Sequence, residues 1–162
     1  MSMAPMTPAP PRTPRPTRIV TGLTLMRHGA QLMVDELVDR LHAAGYIDIT
    51  ASHQAVFENI DRDGTRLTVL AQRSGITHQS MGEIVHALER GGYVTRRPDP
   101  TDGRARMVVL TAKGRRLVRQ AVLEIGQIEA RWHSLFRAAG YDIDLRALLE
   151  PAVQRVSSDP DR

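Results

Sequence analysis

Residues 66–111 read RLTVLAQRSGITHQSMGEIVHALERGGYVTRRPDPTDGRARMVVLT, and the fold turns on how this stretch is read. Val69, Leu70 and Ala71 open one short helical pattern, and Met81, Ile84, Val85 and Leu88 lay an apolar stripe along a second helix. Between them stands Ser74-Gly75-Ile76-Thr77. Gly75 supplies the positive φ that a sharp helix-to-helix turn requires, and the Thr77 hydroxyl is placed to cap the free amides of the second helix. This is a helix-turn-helix pattern. After Gly91-Gly92, Tyr93–Arg97 and Ala105–Leu110 are predicted as strands, because β-branched and aromatic residues replace the helical spacing. The connector Pro98–Arg104 has turn chemistry and can be neither element. A hairpin with a basic loop directly behind a helix-turn-helix makes a winged helix, a module that docks on duplex DNA.

Working outward, Leu23, Met26, Ala30, Met33, Leu37 and Leu41 define a long amphipathic helix over Leu23–Ala44 that Gly45 ends. Thr50 is placed to cap a second helix, Ala51–Ile60. Asp61–Gly64 is a turn, Thr65–Leu67 a short strand beside the hairpin, and Thr68 the expected cap of the first helix of the pair. On the other side, Thr111 is the expected cap of a helix running to about Ala139, with Leu117, Ala121, Ile125, Ile128, Trp132 and Leu135 on one face. A last helix is predicted over Tyr141–Ser157, entered through Asp142 or Asp144 and bent by Pro151. Residues 1–18 carry six of the ten prolines, no acidic residue, and Arg12, Arg15 and Arg18. They are expected to form a disordered arm, either a basic tail that strengthens DNA association or an inert leader.

The expected architecture is therefore mainly α with a small β wing. A single domain over residues 19–162 contains a winged helix-turn-helix at about 50–111, flanked by dimerisation helices at about 20–45 and 112–157. The flanking helices carry apolar faces larger than a lone winged helix can cover, so a two-fold dimer is expected. No apolar run approaches the ~20 residues that span a bilayer. The N-terminus has no apolar signal core, so neither membrane insertion nor secretion is expected and the cytoplasm is the default location. There is no cysteine, which excludes thiol chemistry. Residues 66–116 hold ten basic and four acidic side chains, so the positive charge concentrates on the winged helix. That coincidence is the electrostatic footprint of phosphate binding.

The motifs in this stretch resemble those of the multiple antibiotic resistance regulator (MarR) family. Asp102-Gly103-Arg104, followed after five residues by Leu110-Thr111, matches the family's D-x-R-x-x-x-x-x-L-T wing motif. Leu88-Glu89-Arg90-Gly91-Gly92-Tyr93-Val94 is similar to its L-E-x-x-G-[LY]-[VI] exit from the recognition helix. Glu83 departs from the pattern, since many members carry a basic residue there. The resemblance implies a homodimeric winged-helix transcription regulator, most often a repressor, that binds a pseudo-palindromic operator and releases it on binding an aromatic or lipophilic small molecule. The cysteine-based peroxide-sensing branch is excluded by composition.

Base reading needs side chains near the start of the recognition helix, here Thr77, His78, Gln79, Ser80 and Glu83. Gln79 can pair with adenine, His78 can donate to guanine and Glu83 can accept from cytosine, while Thr77 and Ser80 either hold phosphate or cap the helix. In the wing, Arg104 resembles the family arginine that enters the minor groove, and Asp102 would orient it or a neighbour. Arg96, Arg97 and Arg106 flank the same loop. For the effector pocket the resemblance implies a place between the dimer helices and the winged domain, with His28, Gln31, His53 and Phe57 as candidates. No histidine pair has H-x-x-x-H spacing, so neither a metal site nor any cofactor is expected. No catalytic residue is assigned: phosphate loop, nucleophile elbow and paired-carboxylate patterns are all missing from the sequence. Two rivals remain, an architectural or non-specific DNA-binding protein and, more remotely, a nucleic-acid-modifying enzyme with a winged helix attached.

Overall fold

A computed structural model of the chain describes residues 21–158, so the arm expected over residues 1–18 lies outside the described residues. Helix α1 spans Gly22–Ala43, and the Thr21 hydroxyl at its start accepts from the Thr24 amide at 3.1 Å. A 3-10 turn at Ala51–His53 leads into a single-turn helix, α2, at Gln54–Phe57. Strand β1 (Thr65–Arg66), helices α3 (Leu67–Ser74) and α4 (His78–Arg90), and strands β2 (Val94–Pro98) and β3 (Arg106–Leu110) follow. Two further helices, α5 (Ala112–Ala138) and α6 (Leu145–Ser157), complete the described chain. The fold is mainly α with a three-stranded antiparallel sheet in the order β1-β3-β2. Among the described residues no helix is long and apolar enough to cross a membrane.

Three expectations are corrected in detail. The helix predicted over Ala51–Ile60 stops at Phe57: the Asn59 amide binds the Val56 carbonyl at 3.1 Å, and its side-chain amide folds back onto the Ala55 carbonyl at 2.9 Å. Such a local side-chain bond competes with helix propagation and turns the chain there. Thr68 does not cap α3. Arg66 holds the cap position without a side-chain bond, because β1 pairs with β3 through Arg66 and Met107 and delivers the chain already extended to the helix start. The last helix begins at Leu145, where Asp144 Oδ1 accepts from the amides of Arg146 and Ala147 at 2.9 and 3.1 Å. Asp142 lies outside it and accepts from His133 Nε2 at 2.9 Å.

The core is formed where the short elements meet. Val56, Leu70, Met81, Val85, Leu88, Tyr93 and Val108 are essentially solvent-free, and Leu41 and Leu117 bring the lower ends of α1 and α5 into the same cluster. Each such side chain contributes about 1.5–3 kcal/mol of burial. Helix α5 starts against the sheet so closely that a Cβ added to Gly114 would sit 2.1 Å from the Tyr93 carbonyl oxygen. Thr111 reinforces this corner: its hydroxyl accepts from the Gly114 amide at 3.1 Å and donates to the Gly92 carbonyl at 2.6 Å. Lys113, the single lysine of the chain, donates to the Gly91 carbonyl at 2.8 Å and lies 4.0 Å from the centre of the Tyr93 ring. The Tyr93 hydroxyl donates to Asp48, and burial, then that carboxylate, push the phenol pKa up.

Above the core α1 and α5 run antiparallel, with Arg40 donating to Glu36, Glu124 and Gln127 at 2.9, 3.2 and 2.8 Å. Trp132 of α5 rests against Gly29 of α1. Beyond these contacts the helices leave apolar faces uncovered: Leu23, Leu25 and Met26 of α1, Val122 and Leu123 of α5, and Leu148, Val153 and Val156 of α6 are all half or more exposed.

Candidate nucleic-acid interface

The turn between α3 and α4 is built as its residues dictate. Gly75 ends α3 in the left-handed region at φ 66°, and the Ile76 amide returns to the Ala71 carbonyl at 3.2 Å. Thr77 is extended at φ −67° and ψ 153°, and its hydroxyl accepts from the Ser80 amide at 3.1 Å. The Ser80 hydroxyl lies 2.8 Å from the same oxygen. Capping, one of the two roles weighed for Thr77, is thus made in the structure, and it satisfies the Ser80 amide within the chain. Met81, Val85 and Leu88 bury the inner face of α4. His78, Gln79, Ser80 and Glu83 are exposed on its outer side, with Gln79 Nε2 3.4 Å from Glu83 Oε1. A weak contact of this length leaves the Gln79 amide free to rotate toward a base edge.

The hairpin β2–β3 pairs Val94 with Leu110 through to Pro98 with Arg106, and the loop between them is locked from within. Asp99 is the key to it. Its Oδ1 accepts from the Thr101 hydroxyl at 2.7 Å and the Thr101 amide at 2.8 Å, and its Oδ2 accepts from Arg66 Nε at 2.6 Å. The Thr101 bonds, then Arg66, hold its carboxyl down to about 2, well below the usual carboxylate value. The Asp102 side chain serves the wing too: its Oδ1 accepts from the Arg104 backbone amide at 3.1 Å, and its Oδ2 stands 4.0 Å from the Arg66 guanidinium.

These bonds divide the wing cations. Arg96 is drawn back to Glu89 at 3.6 Å, so it is partly neutralised within the chain. Arg97, Arg104 and Arg106 are exposed, and among the described residues no carboxylate lies within salt-bridge distance of them. These arginines and the outer side of α4 are exposed polar faces of elements that share one buried core. Sequence reading missed Arg66 and Asp99. The Asp99-Pro100-Thr101 run is the local signature of an Asx turn, but its arginine partner is 33 residues away in the chain and carries no local signal.

The four ligand candidates are not brought together. Between α1, α2 and α5 lies a cavity of about 160 Å³, and of the four only Phe57 lines it. His28 and Gln31 are exposed on α1, where Gln31 donates to Asp35 at 2.8 Å. His53 is buried, but its Nδ1 accepts from the Thr50 amide at 3.0 Å, so it completes the turn before α2. Burial pushes that imidazole's pKa down against the pull of Asp48. Residue spacing alone could not tell the inward face of α1 from its outward face at His28 and Gln31.

Comparison with known proteins agrees with this geometry. A model of the MarR family matches residues 48–105, which run from the turn before α2 to the end of the wing loop. The HTH-type transcriptional regulator PetP of Rhodobacter capsulatus is 32% identical over 118 residues, covering 67% of this chain and 68% of PetP. The chain belongs to the MarR family. As a MarR-family protein it is a DNA-binding transcriptional regulator with a winged helix. The transcriptional regulator HosA of Escherichia coli O111:H- is 33% identical over 76 residues, and the matched segment spans only 56% of HosA and 46% of this chain. Among solved structures, CouR from Rhodococcus jostii RHA1 bound to p-coumaroyl-CoA superposes with a TM-score of 0.65 at 21% identity, covering 85% of this chain and 91% of CouR. At that identity the likeness concerns the MarR fold alone.

Proposed function

We propose that this MarR-family protein is a homodimeric, ligand-responsive repressor that reads a pseudo-palindromic operator with two copies of the α4 and wing surface. One observation carries the reading: α6 buries none of its residues within a single chain, while its apolar side chains and those of α1 and α5 stay exposed. Apolar faces of that extent mark a protein interface. A two-fold axis through these helices covers them and sets two recognition helices on successive major grooves, about 34 Å apart. In this reading Thr77, His78, Gln79, Ser80 and Glu83 face the major groove, and Arg97, Arg104 and Arg106 the minor groove and phosphates. Arg66, Asp99 and Asp102 hold the wing, and Arg96 contributes less because Glu89 shares its charge. No step is catalytic.

The cavity beside α2 supports ligand response, because its walls come from both dimer helices and from the element that precedes the DNA-reading pair. An occupant that prefers one crossing of these helices would change the spacing of the recognition helices. The test is to select DNA fragments with the purified full chain, then compare operator with random duplex at fixed salt. About a thousandfold preference or more, with one dimer per palindrome, supports regulation. A ratio near unity supports the architectural alternative instead.

A further inference from the structure

The long walls of the α1–α2–α5 cavity are aliphatic, formed by Leu37, Leu41, Leu117, Val118 and Ala121 among others, around a volume of about 160 Å³. An aliphatic void of about 150 Å³ stays dry and accepts a benzene ring. Polar side chains reach this cavity from one side, the α2 rim, where Thr50, Gln54 and Glu58 stand. Among the described residues none that lines it carries a positive charge, and Glu58 is its one charged group. The Gln54 side-chain amide donates to that carboxylate and leaves it exposed at the mouth. Two nearby basic side chains on the same elements are already engaged. Arg40 is taken up by Glu36, Glu124 and Gln127, and the His53 Nδ1 lone pair by the Thr50 amide.

This distribution discriminates by charge. A carboxylate leaving water for these walls would meet no cation to offset its lost hydration and would face the Glu58 carboxylate at the entrance. An ammonium held at the rim keeps part of its hydration and meets an opposite charge, while its apolar part packs on the aliphatic walls. We propose that the cavity binds a lipophilic amine, with an apolar group of about one-ring size between α1 and α5 and its ammonium beside Glu58. Its regulatory consequence rests on the effector reading above; the binding itself does not.

Benzylamine, benzoate and toluene, alike in shape and different in charge, test the proposal on the full chain. Binding is followed by calorimetry and by NMR of the Leu, Val and Ala methyl groups. Benzylamine should bind about tenfold or more tighter than benzoate, shifting the Val118 and Ala121 methyls. Glu58→Gln should bring benzylamine down toward toluene while leaving toluene unchanged, and this exposed substitution spares the fold. Ala121→Phe, which fills the cavity, should remove benzylamine binding, with circular dichroism reporting whether that variant folds. Benzoate binding as tightly as benzylamine, an amine advantage that survives Glu58→Gln, or no probe reaching these methyls overturns the proposal. Operator affinity is measured in parallel. If benzylamine fills the cavity and saturating amounts leave operator affinity unchanged, the effector reading fails while the chemistry assigned to the site stands.

Discussion

Leu70, Met81, Val85 and Leu88, in the helix-turn-helix centre, are 1% exposed or less, whereas Leu148, Val153 and Val156 of α6 are each half or more exposed. Both regions have the apolar spacing of amphipathic helices, yet the first finds all its partners inside one chain and the second finds few. The central elements are short and converge from several directions on one cluster, closing it with the wing sheet. Helices α1 and α5 leave the core cluster after one or two turns and cover each other only in part, with Ile128 buried between them, and α6 buries none of its residues, so much of their apolar surface stays open within the chain. The centre therefore closes on itself, and the ends leave apolar faces that the proposed dimer would cover.

The strongest way to break this contrast is to remove one end. Deleting residues 138–162 should leave a monomer or an aggregate, and operator affinity should fall by about a thousandfold, as expected when a paired site is reduced to a single half-site. Light scattering with fluorescence anisotropy checks this, and a well-folded monomer binding the operator as tightly as the whole chain would contradict it. A pair of substitutions sharpens the contrast energetically. Leu70→Ala should cost about 2–5 kcal/mol in urea unfolding at any protein concentration, because it opens a cavity in a closed core. Leu148→Ala should instead act through association, lowering the unfolding midpoint more at low concentration than at high. Equal, concentration-independent losses for both would mean that α6 is covered within the chain.

Within the centre, the helix start and the wing should separate by their response to salt. Arg104→Ala should weaken operator and random duplex together, making the logarithmic salt slope shallower by about one unit per cation lost from each protomer. Gln79→Ala should leave that slope nearly unchanged and relax preference at one base pair per half-site, worth about 1–3 kcal/mol. Titrations of both variants at several salt concentrations decide it; an Arg104→Ala protein with unaltered slope and affinity would place the wing off the DNA.

The smallest expected effect concerns the wing's internal lock. Because the folded protein holds the Asp99 carboxyl down to about 2, its stabilising contribution is present above the ordinary carboxylate range near 4. It should be lost as pH falls from about 4 through about 2, since the unfolded chain takes up that proton first. Urea midpoints across this interval should drop less steeply in Asp99→Asn than in the parent chain. Parallel slopes would show that the carboxylate is not held by Thr101 and Arg66 in solution.

The same contrast governs what could be read from residue order. The Gly75 turn, the Thr77 and Thr111 caps and the two wing strands are local devices, each formed by residues within a few positions of one another, and all were legible. The short extent of α2 was not, because it is ended by the Asn59 side chain bonding Ala55, an option every asparagine carries and few take. Nor was the start of α3, set by pairing with a strand some forty residues further on. The exposed side of α4 followed from its apolar stripe, whereas the cavity did not follow from the stripes of α1 and α5. Which side of a long helix turns inward is settled by its neighbour, and His28 and Gln31 are exposed and do not line the cavity.

The grip of Lys113 on the last turn of α4 has a mechanical consequence. With one bond to the Gly91 carbonyl and its charge against the Tyr93 ring, it clamps the C-terminal end of α4 to the first turn of α5. The 13 residues of α4 run about 20 Å from that clamp to its tip at Thr77, and the buried Met81, Val85 and Leu88 tie the helix to the core, so helix and core would turn as one body. A tilt of about 10° in α5 would swing the tip by about 3–4 Å, the rise of a single base pair. In the proposed dimer the clamp would therefore carry a change in the angle of α5 to the tip of α4.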